Sequence, residues 1–158
     1  NFAKILEVSK IKKKEMVLLI GALTGYETVV LSKIAGTVIS IEEDKELFKL
    51  SEENLKKYDL ENVVSVNNSH IKGCEKYAPY DIIIILGSID TLHNRILEQL
   101  SDKGRLLTCK TLSTNLDESK LTIYHKFNNK YVNEVLFDLN LPKLLSFSEA
   151  DNRFELTS

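Results

Sequence analysis

The sequence predicts an α/β fold: a doubly wound, mostly parallel sheet that ends in an antiparallel β-hairpin. Three observations carry that prediction. Val17-Leu18-Leu19-Ile20 runs into Gly21 and, past a second glycine at 25, into a helical pattern, the order of a buried strand, a tight turn and a helix. Further apolar runs then alternate with amphipathic helical stretches, as parallel strands need crossovers between them. The last third of the chain instead carries two strand-like runs joined by Asn128-Asn129, which reads as a hairpin.

Taken in order, residues 2–9 place Phe2, Ile5, Leu6 and Val8 at roughly helical spacing, giving a short packing helix before a solvated basic lead-in, Lys10 and Lys12-Lys13-Lys14. Strand one is expected over 16–20, the loop over 21–25, and a helix over 26–35 with Val29, Val30 and Ile34 toward the sheet. Gly36 would end that helix in a left-handed conformation. Strand two covers 37–41. From 45 to 58, Leu47, Phe48, Leu50, Leu55 and Tyr58 recur among Lys and Glu, so one helix face should be buried. After a turn at 59–62 comes a third strand over 63–66, with Asn67-Asn68-Ser69-His70 at its carboxyl end.

Residues 71–80 read as irregular. Asp81-Ile82-Ile83-Ile84-Ile85-Leu86 shows no alternation, which suits a strand covered on both faces. Asp90 is expected to cap a helix over 91–100, with Leu92, Ile96, Leu97 and Leu100 inward. Lys103-Gly104 then turns the chain into strand five, 105–109, and the hairpin strands follow at 121–126 and 131–137. The reading gives one domain over 1–145 and a loosely held tail over 146–158.

Composition agrees with a single globular unit: 43% of the 158 residues are hydrophobic, enough for one sizeable core. A net charge of −2 gives no electrostatic footprint for nucleic acid or an anionic membrane, and neither partner is expected. Apolar runs such as Ile82–Leu86 fall far short of the ~20 residues that span a bilayer. Cys74 and Cys109 form no Cys-x-x-Cys pair, so reduced thiols and a cytoplasmic setting are the expectation. His70 and Cys74 alone do not make a metal site, and no metal is expected. His93 and His125 read as surface or strand residues, and no nucleophile motif supports a hydrolase.

The functional signal lies on one rim. Glu42, which closes strand two, stands 21 residues beyond Gly21, the spacing of a carboxylate placed to accept bonds from ribose hydroxyls. In an open parallel sheet ligands bind outside the carboxyl ends of the strands, so the loops at 21, 42 and 67–70 should meet there. Gly21 and Gly25 would otherwise be a plain tight turn. Glu43 and Asp44 read as charges favoured at a helix start, and Tyr26 as packing under the loop or covering a ligand.

Leu18-Leu19-Ile20-Gly21 with Thr24-Gly25-Tyr26, Ile41-Glu42, Ala78-Pro79-Tyr80-Asp81 before the isoleucine strand, and Leu97-Glu98-Gln99-Leu100 with Gly104-Arg105-Leu106 together resemble the protein-L-isoaspartate O-methyltransferase family of class I S-adenosylmethionine-dependent methyltransferases. The resemblance covers residues 1 to about 145. It implies a Rossmann-like methyltransferase fold, S-adenosyl-L-methionine as cofactor, and isoaspartyl residues of damaged proteins or peptides as the methyl acceptor. It implies that Gly21, Ala22, Leu23, Thr24, Gly25 and Tyr26 hold the methionine end, Glu42 the ribose, and Ser69 and His70 the adenine, with Leu86, Gly87 and Ser88 beside the methyl-transfer pocket. No side chain is assigned a catalytic role.

The sequence departs from the family pattern in three places. Leu23 stands where the family loop has glycine, and Asn68-Ser69-His70 stands for Gly-Asp-Gly. Family members also carry a long region before strand one with a serine loop that helps to hold substrate, and no residue here inherits that serine. These departures leave a second reading open, a non-enzymatic interaction module on the same fold. A nucleotide-dependent oxidoreductase is disfavoured by the terminal hairpin.

Overall fold

A computed structural model of the chain describes residues 1–112, 114–115 and 117–147. Seven strands, β1 (Met16–Ile20), β2 (Thr37–Glu42), β3 (Val63–Asn67), β4 (Tyr80–Ile89), β5 (Leu100–Thr111), β6 (Ser119–Phe127) and β7 (Lys130–Asp138), form one sheet in the order β3-β2-β1-β4-β5-β6-β7. β1 to β5 are parallel to one another, β6 pairs antiparallel with β5, and β7 antiparallel with β6. The predicted mostly parallel sheet with a terminal hairpin is what forms. Asn128 and Asn129 turn the hairpin at φ 51° and 60°, a left-handed pair that asparagine tolerates well.

Because β1 opens at the centre, the chain runs outward to β3 and then crosses over to β4. The strand order therefore reverses between β1 and β4, and their carboxyl ends form the switch point at which open sheets of this kind bind ligands. Leu18, Ile20, Ile83 and Ile85 point to one face of the sheet and Val17, Leu19, Ile82 and Ile84 to the other, all of them buried. Burial on both faces explains the unbroken isoleucine run.

Helices α1 (Phe2–Ser9), α2 (Tyr26–Ile34), α3 (Lys45–Leu55) and the short α4 (Asn94–Leu97) cover the sheet. α1 is pinned by Arg105 of β5, whose Nε donates to Ser9 O at 2.7 Å and whose Nη2 donates to Lys10 O at 3.0 Å. The same guanidinium forks onto Glu15 at 3.0 and 3.1 Å. Arg105 thus caps the carboxyl end of the helix and fixes its angle to the sheet.

Several local expectations are corrected. α2 buries Thr28, Val29, Leu31 and Ser32, whereas Val30 is half-buried and Ile34 lies outside. Small polar side chains on the inner face let the helix sit close, and Asn62 Nδ2 sets its rotation by donating to Ser32 O, Ala35 O and Gly36 O. Gly36 is not left-handed. Its missing Cβ serves close approach, because a Cβ there would stand 3.0 Å from Lys13 O and from Lys14 C. α3 ends at Leu55 rather than Tyr58, where the bonds Lys57 N–H to Asn54 O and Tyr58 N–H to Leu55 O tighten into three-residue turns. Leu50 and Tyr58 are exposed, and Ser51 is the buried residue of that helix.

Asp90 caps nothing: it accepts from Thr111 Oγ1 at 2.8 Å and faces Lys143 Nζ at 3.8 Å, so α4 starts only after His93. β5 accordingly begins early, at Leu100, and bends at Lys103 with φ 67°. The chain beyond β7 returns to β4. Ser88 N–H donates to Pro142 O at 2.9 Å, Leu144 N–H to Ser88 O at 3.0 Å, and Phe147 is wholly buried. Of the segment expected as a tail from 146, residues 148–158 lie outside the described residues.

Candidate functional site

The rim is built by three turns that meet because three neighbouring parallel strands end together. At the end of β1, Gly21 N–H and Ala22 N–H both donate to Ile41 O, at 3.0 and 3.1 Å, which ties the loop to β2. Gly21 and Gly25 take φ 89° and 94°, where a side chain is strained. A Cβ on Gly25 would also stand 2.9 Å from Ser51 Oγ of α3, so that glycine is required twice over. Leu23 occupies a left-handed φ of 51° between them, at a cost of roughly 1–2 kcal/mol for a non-glycine residue. Its N–H donates to Glu42 Oε1 at 2.9 Å, and that bond holds the strained turn. Thr24 is exposed and uses its carbonyl, which accepts from Asn54 Nδ2 at 2.9 Å. Tyr26 does not pack under the loop; it begins α2 with 68% of its surface exposed.

Glu42 is the centre of the rim. It is 2% exposed, and its carboxylate accepts three bonds: from Leu23 N–H to Oε1, and from Asp44 N–H at 3.0 Å and His70 Nε2 at 3.2 Å to Oε2. Burial alone would push its carboxyl above the ordinary range. The bonds from His70, Asp44 and Leu23, with the His70 charge behind them, outweigh burial and hold it below that range. A carboxylate offers about four lone pairs, so three donors leave one acceptor position, on Oε1.

His70 was predicted for this rim, but not as the buried partner of Glu42. It is 5% exposed; its N–H donates to Glu43 Oε1 at 2.9 Å, and its Nδ1 lies 3.5 Å from Glu43 Oε1 and from Ser146 Oγ. Glu43 is thereby tied to the 70 loop instead of serving the helix start. Asp44 does serve it, accepting from Glu46 N–H at 2.9 Å and Leu47 N–H at 3.0 Å as the cap of α3. Ser69 stands half-buried immediately before the three-residue turn that begins at His70. The signal for the Glu42–His70 pair was weak in sequence: a histidine just past a strand end, 28 residues from the acid.

Across the switch point, Leu86 is half-buried, and its carbonyl lies 3.5 Å from where a Cβ of Gly21 would stand. Gly87 and Ser88 are buried. Ser88 Oγ donates to Leu141 O at 2.6 Å, which brings the segment after β7 to this rim. Sequence reasoning did not anticipate that segment; a proline flanked by leucines, Leu141-Pro142-Lys143-Leu144, was the available clue. Gly21 and Ala22 are thus bonded to β2 through Ile41 O, and Leu23 and His70 directly to Glu42. Thr24, Tyr26 and Ser69 line the outside of the rim, and Leu86 faces it from β4.

The arrangement suits an adenosine-bearing cofactor in one respect: a buried carboxylate, held ionised by its donors, closes β2 at the switch point and keeps one acceptor position. The chain matches the model of the family "Protein-L-isoaspartate(D-aspartate) O-methyltransferase" over residues 1–137. It is 30% identical over 144 residues to a protein-L-isoaspartate O-methyltransferase of Vibrio vulnificus, covering 91% of this chain and 67% of the relative. A Thermosipho melanesiensis relative of the same name is 36% identical over 100 residues, which span 61% of this chain and half of that protein. Among solved structures, a protein-L-isoaspartate O-methyltransferase superposes with a TM-score of 0.88 at 21% identity, over 98% of this chain and 50% of its own. A Plasmodium falciparum structure described as the same kind of enzyme, in complex with S-adenosyl-L-homocysteine, gives 0.74 at 21% identity over 90% of this chain and 70% of its own.

Proposed function

Because the chain belongs to the protein-L-isoaspartate(D-aspartate) O-methyltransferase family, we propose that it transfers a methyl group from S-adenosylmethionine to the free carboxylate of isoaspartyl residues in damaged proteins or peptides. The observation that carries this reading is Glu42, a buried carboxylate kept ionised at the end of β2 and bonded to the N–H of the glycine-loop residue Leu23. When bound, S-adenosylmethionine supplies the methyl as an activated sulfonium. The acceptor carboxylate is already anionic, so the chain needs no general base, and its residues act by binding and orientation.

Gly21 and Gly25 give the loop the left-handed turns that shape it for the methionine end, and Glu42 accepts from the ribose. The free position on Oε1 takes one hydroxyl; a second bond requires His70 to release Oε2. Ser69 and His70 border the adenine. The cytoplasmic setting of this reading is supported by Cys74 and Cys109, both free and buried thiols.

A second reading, an interaction module that has lost the cofactor, draws on two specific observations: Leu23 at positive φ and the His70 hold on Glu42. Calorimetric titration with S-adenosylmethionine and with S-adenosylhomocysteine separates the two. Micromolar binding, about −8 kcal/mol, is expected, followed by methyl incorporation into an isoaspartyl peptide and none into its aspartyl isomer. No heat at millimolar ligand would favour the interaction module.

A further inference from the structure

We propose that β7 is a dimerisation edge, along which a second copy of this chain pairs antiparallel about Asn133 and continues the sheet. β7 ends the sheet on one side, and its far side carries no strand among the described residues. The opposite edge is protected: β3 has five residues, and Val63, Val64 and Val66 are half-buried against the core. β7 has nine, contains no proline and exposes apolar side chains along its length, with Val132 64% and Val135 55% exposed and Tyr131 and Phe137 also outside. An exposed apolar edge of that length is a template for another strand.

The register with β6 shows which backbone groups are free. Lys130 closes the Asn128-Asn129 turn opposite Phe127, and along an antiparallel pair bonded residues alternate with unbonded ones. Lys130, Val132 and Glu134 therefore bond inward, to Phe127, His125 and Ile123, whereas Tyr131, Asn133 and Val135 aim their N–H and C=O away from β6. A copy related by a two-fold axis through Asn133, perpendicular to the sheet, sets Asn133 opposite itself and Tyr131 opposite Val135. Each of those outward groups then has a partner.

The side chains fit the same register. Tyr131 against Val135 is an aromatic and β-branched pair, and Lys130 comes diagonal to the second copy's Glu134, an opposite-charge neighbour. Within one copy Lys130 and Glu134 are roughly 13 Å apart along the strand, too far to pair. An axis moved to Glu134 would set two carboxylates face to face, which the pairing about Asn133 avoids. Beside the strand the apolar surface continues into a groove of about 740 Å³ between the hairpin and α1, lined in part by Val8, Ile123, Leu136 and Phe137. A net charge of −2 leaves little repulsion between two copies.

The test is the mass of the whole chain by sedimentation velocity, from about 1 to about 500 µM. Expected is a reversible rise from 18.0 kDa to twice that mass and no further, because a two-fold pairing closes on itself. Asn133→Pro deletes an outward N–H, at a place where an edge strand accepts proline, and Val135→Lys puts a charge where Tyr131 packs. Each should hold the chain at the single mass while its melting curve stays near that of wild type. Lys130→Glu and Glu134→Lys should each weaken the pairing about threefold to tenfold, and the two together should restore it. A chain that stays at 18.0 kDa throughout overturns the proposal and leaves the edge to a strand of another protein. Association that persists in Asn133→Pro and Val135→Lys, or a double reversal that fails to rescue, overturns it as well. Should Asn133→Pro not fold, Val135→Lys and the charge reversals decide.

Discussion

Replacing Glu42 with Gln keeps the shape of the side chain and removes its charge, and the three donors that converge on it set the cost. Leu23 N–H, Asp44 N–H and His70 Nε2 all point at carboxylate oxygens. A glutamine has one carbonyl oxygen. If that oxygen takes the Oε2 position, its NH2 confronts Leu23 N–H; if it takes Oε1, the NH2 confronts Asp44 N–H and His70. One or two charge-assisted bonds are therefore lost, each worth about 1.5–3 kcal/mol, for a total near 3 kcal/mol. In a domain of this size that corresponds to a fall of roughly 6–12 °C in melting temperature.

The pH dependence follows from the direction of the Glu42 shift. Its folded carboxyl titrates below the ordinary range, so the stabilisation is present in full above the unfolded value of about 4.3 and is lost as pH falls through the folded value. Thermal melts of wild type and Glu42→Gln should thus differ most near neutrality and converge as pH is lowered toward about 3. A variant that melts within about 1 °C of wild type at neutral pH, or a gap that persists unchanged in acid, would refute the account of Glu42 as a carboxylate held ionised by its donors.

Arg105→Gln removes the cap of α1 together with the fork onto Glu15, and should cost about 2 kcal/mol in chemical denaturation. Bonding to Arg105 outweighs burial and holds the Glu15 carboxyl below its ordinary range, so the Glu15 share of this cost is present near neutrality and fades as pH falls through the folded value of Glu15, leaving the share of the helix cap; a wholly pH-independent difference would contradict it. Ser40→Ala acts the other way. The Ser40 hydroxyl is wholly buried with no hydrogen-bond partner among the described residues, and removing it should raise stability by about 1 kcal/mol, read as a higher denaturation midpoint with unchanged slope.

What the sequence made legible and what it did not divide along a physical line. The strand-loop-helix at the start was readable because four apolar residues, a glycine and a helical period follow one another, and each is a local property of the chain. The position of Glu42 followed from the same local counting, since one loop, one helix and one strand fix its distance from Gly21. The Asn128-Asn129 turn was readable because its left-handed pair is a property of those two residues. The inward face of α2 was not, because periodicity of hydrophobicity weighs Val30 and Ile34 above Thr28 and Ser32, while the packing weighs size. Asp90 read as a helix cap because capping is local; its actual partners, Thr111 and Lys143, are 21 and 53 residues away.

The site divides the same way. Its loop and its acid belong to one β-loop-α-β unit and could be read from spacing; the side chains packed against them, His70 on Glu42 and Leu144 between Gly21 and Gly87, arrive from the turn after β3 and from beyond β7. No spacing rule links them to the loop, because it is the sheet order that brings them there. The glycines record that arrival: Gly87 in the β4 run looks, as sequence, like a weak point in a strand, and only the isobutyl group 2.5 Å from its absent Cβ explains it. Gly87→Ala should therefore displace the segment that carries Leu144 while β4 keeps its pairing, so a glycine that reads as permissive in the sequence is, in the fold, a steric requirement of the packing between β4 and the segment after β7.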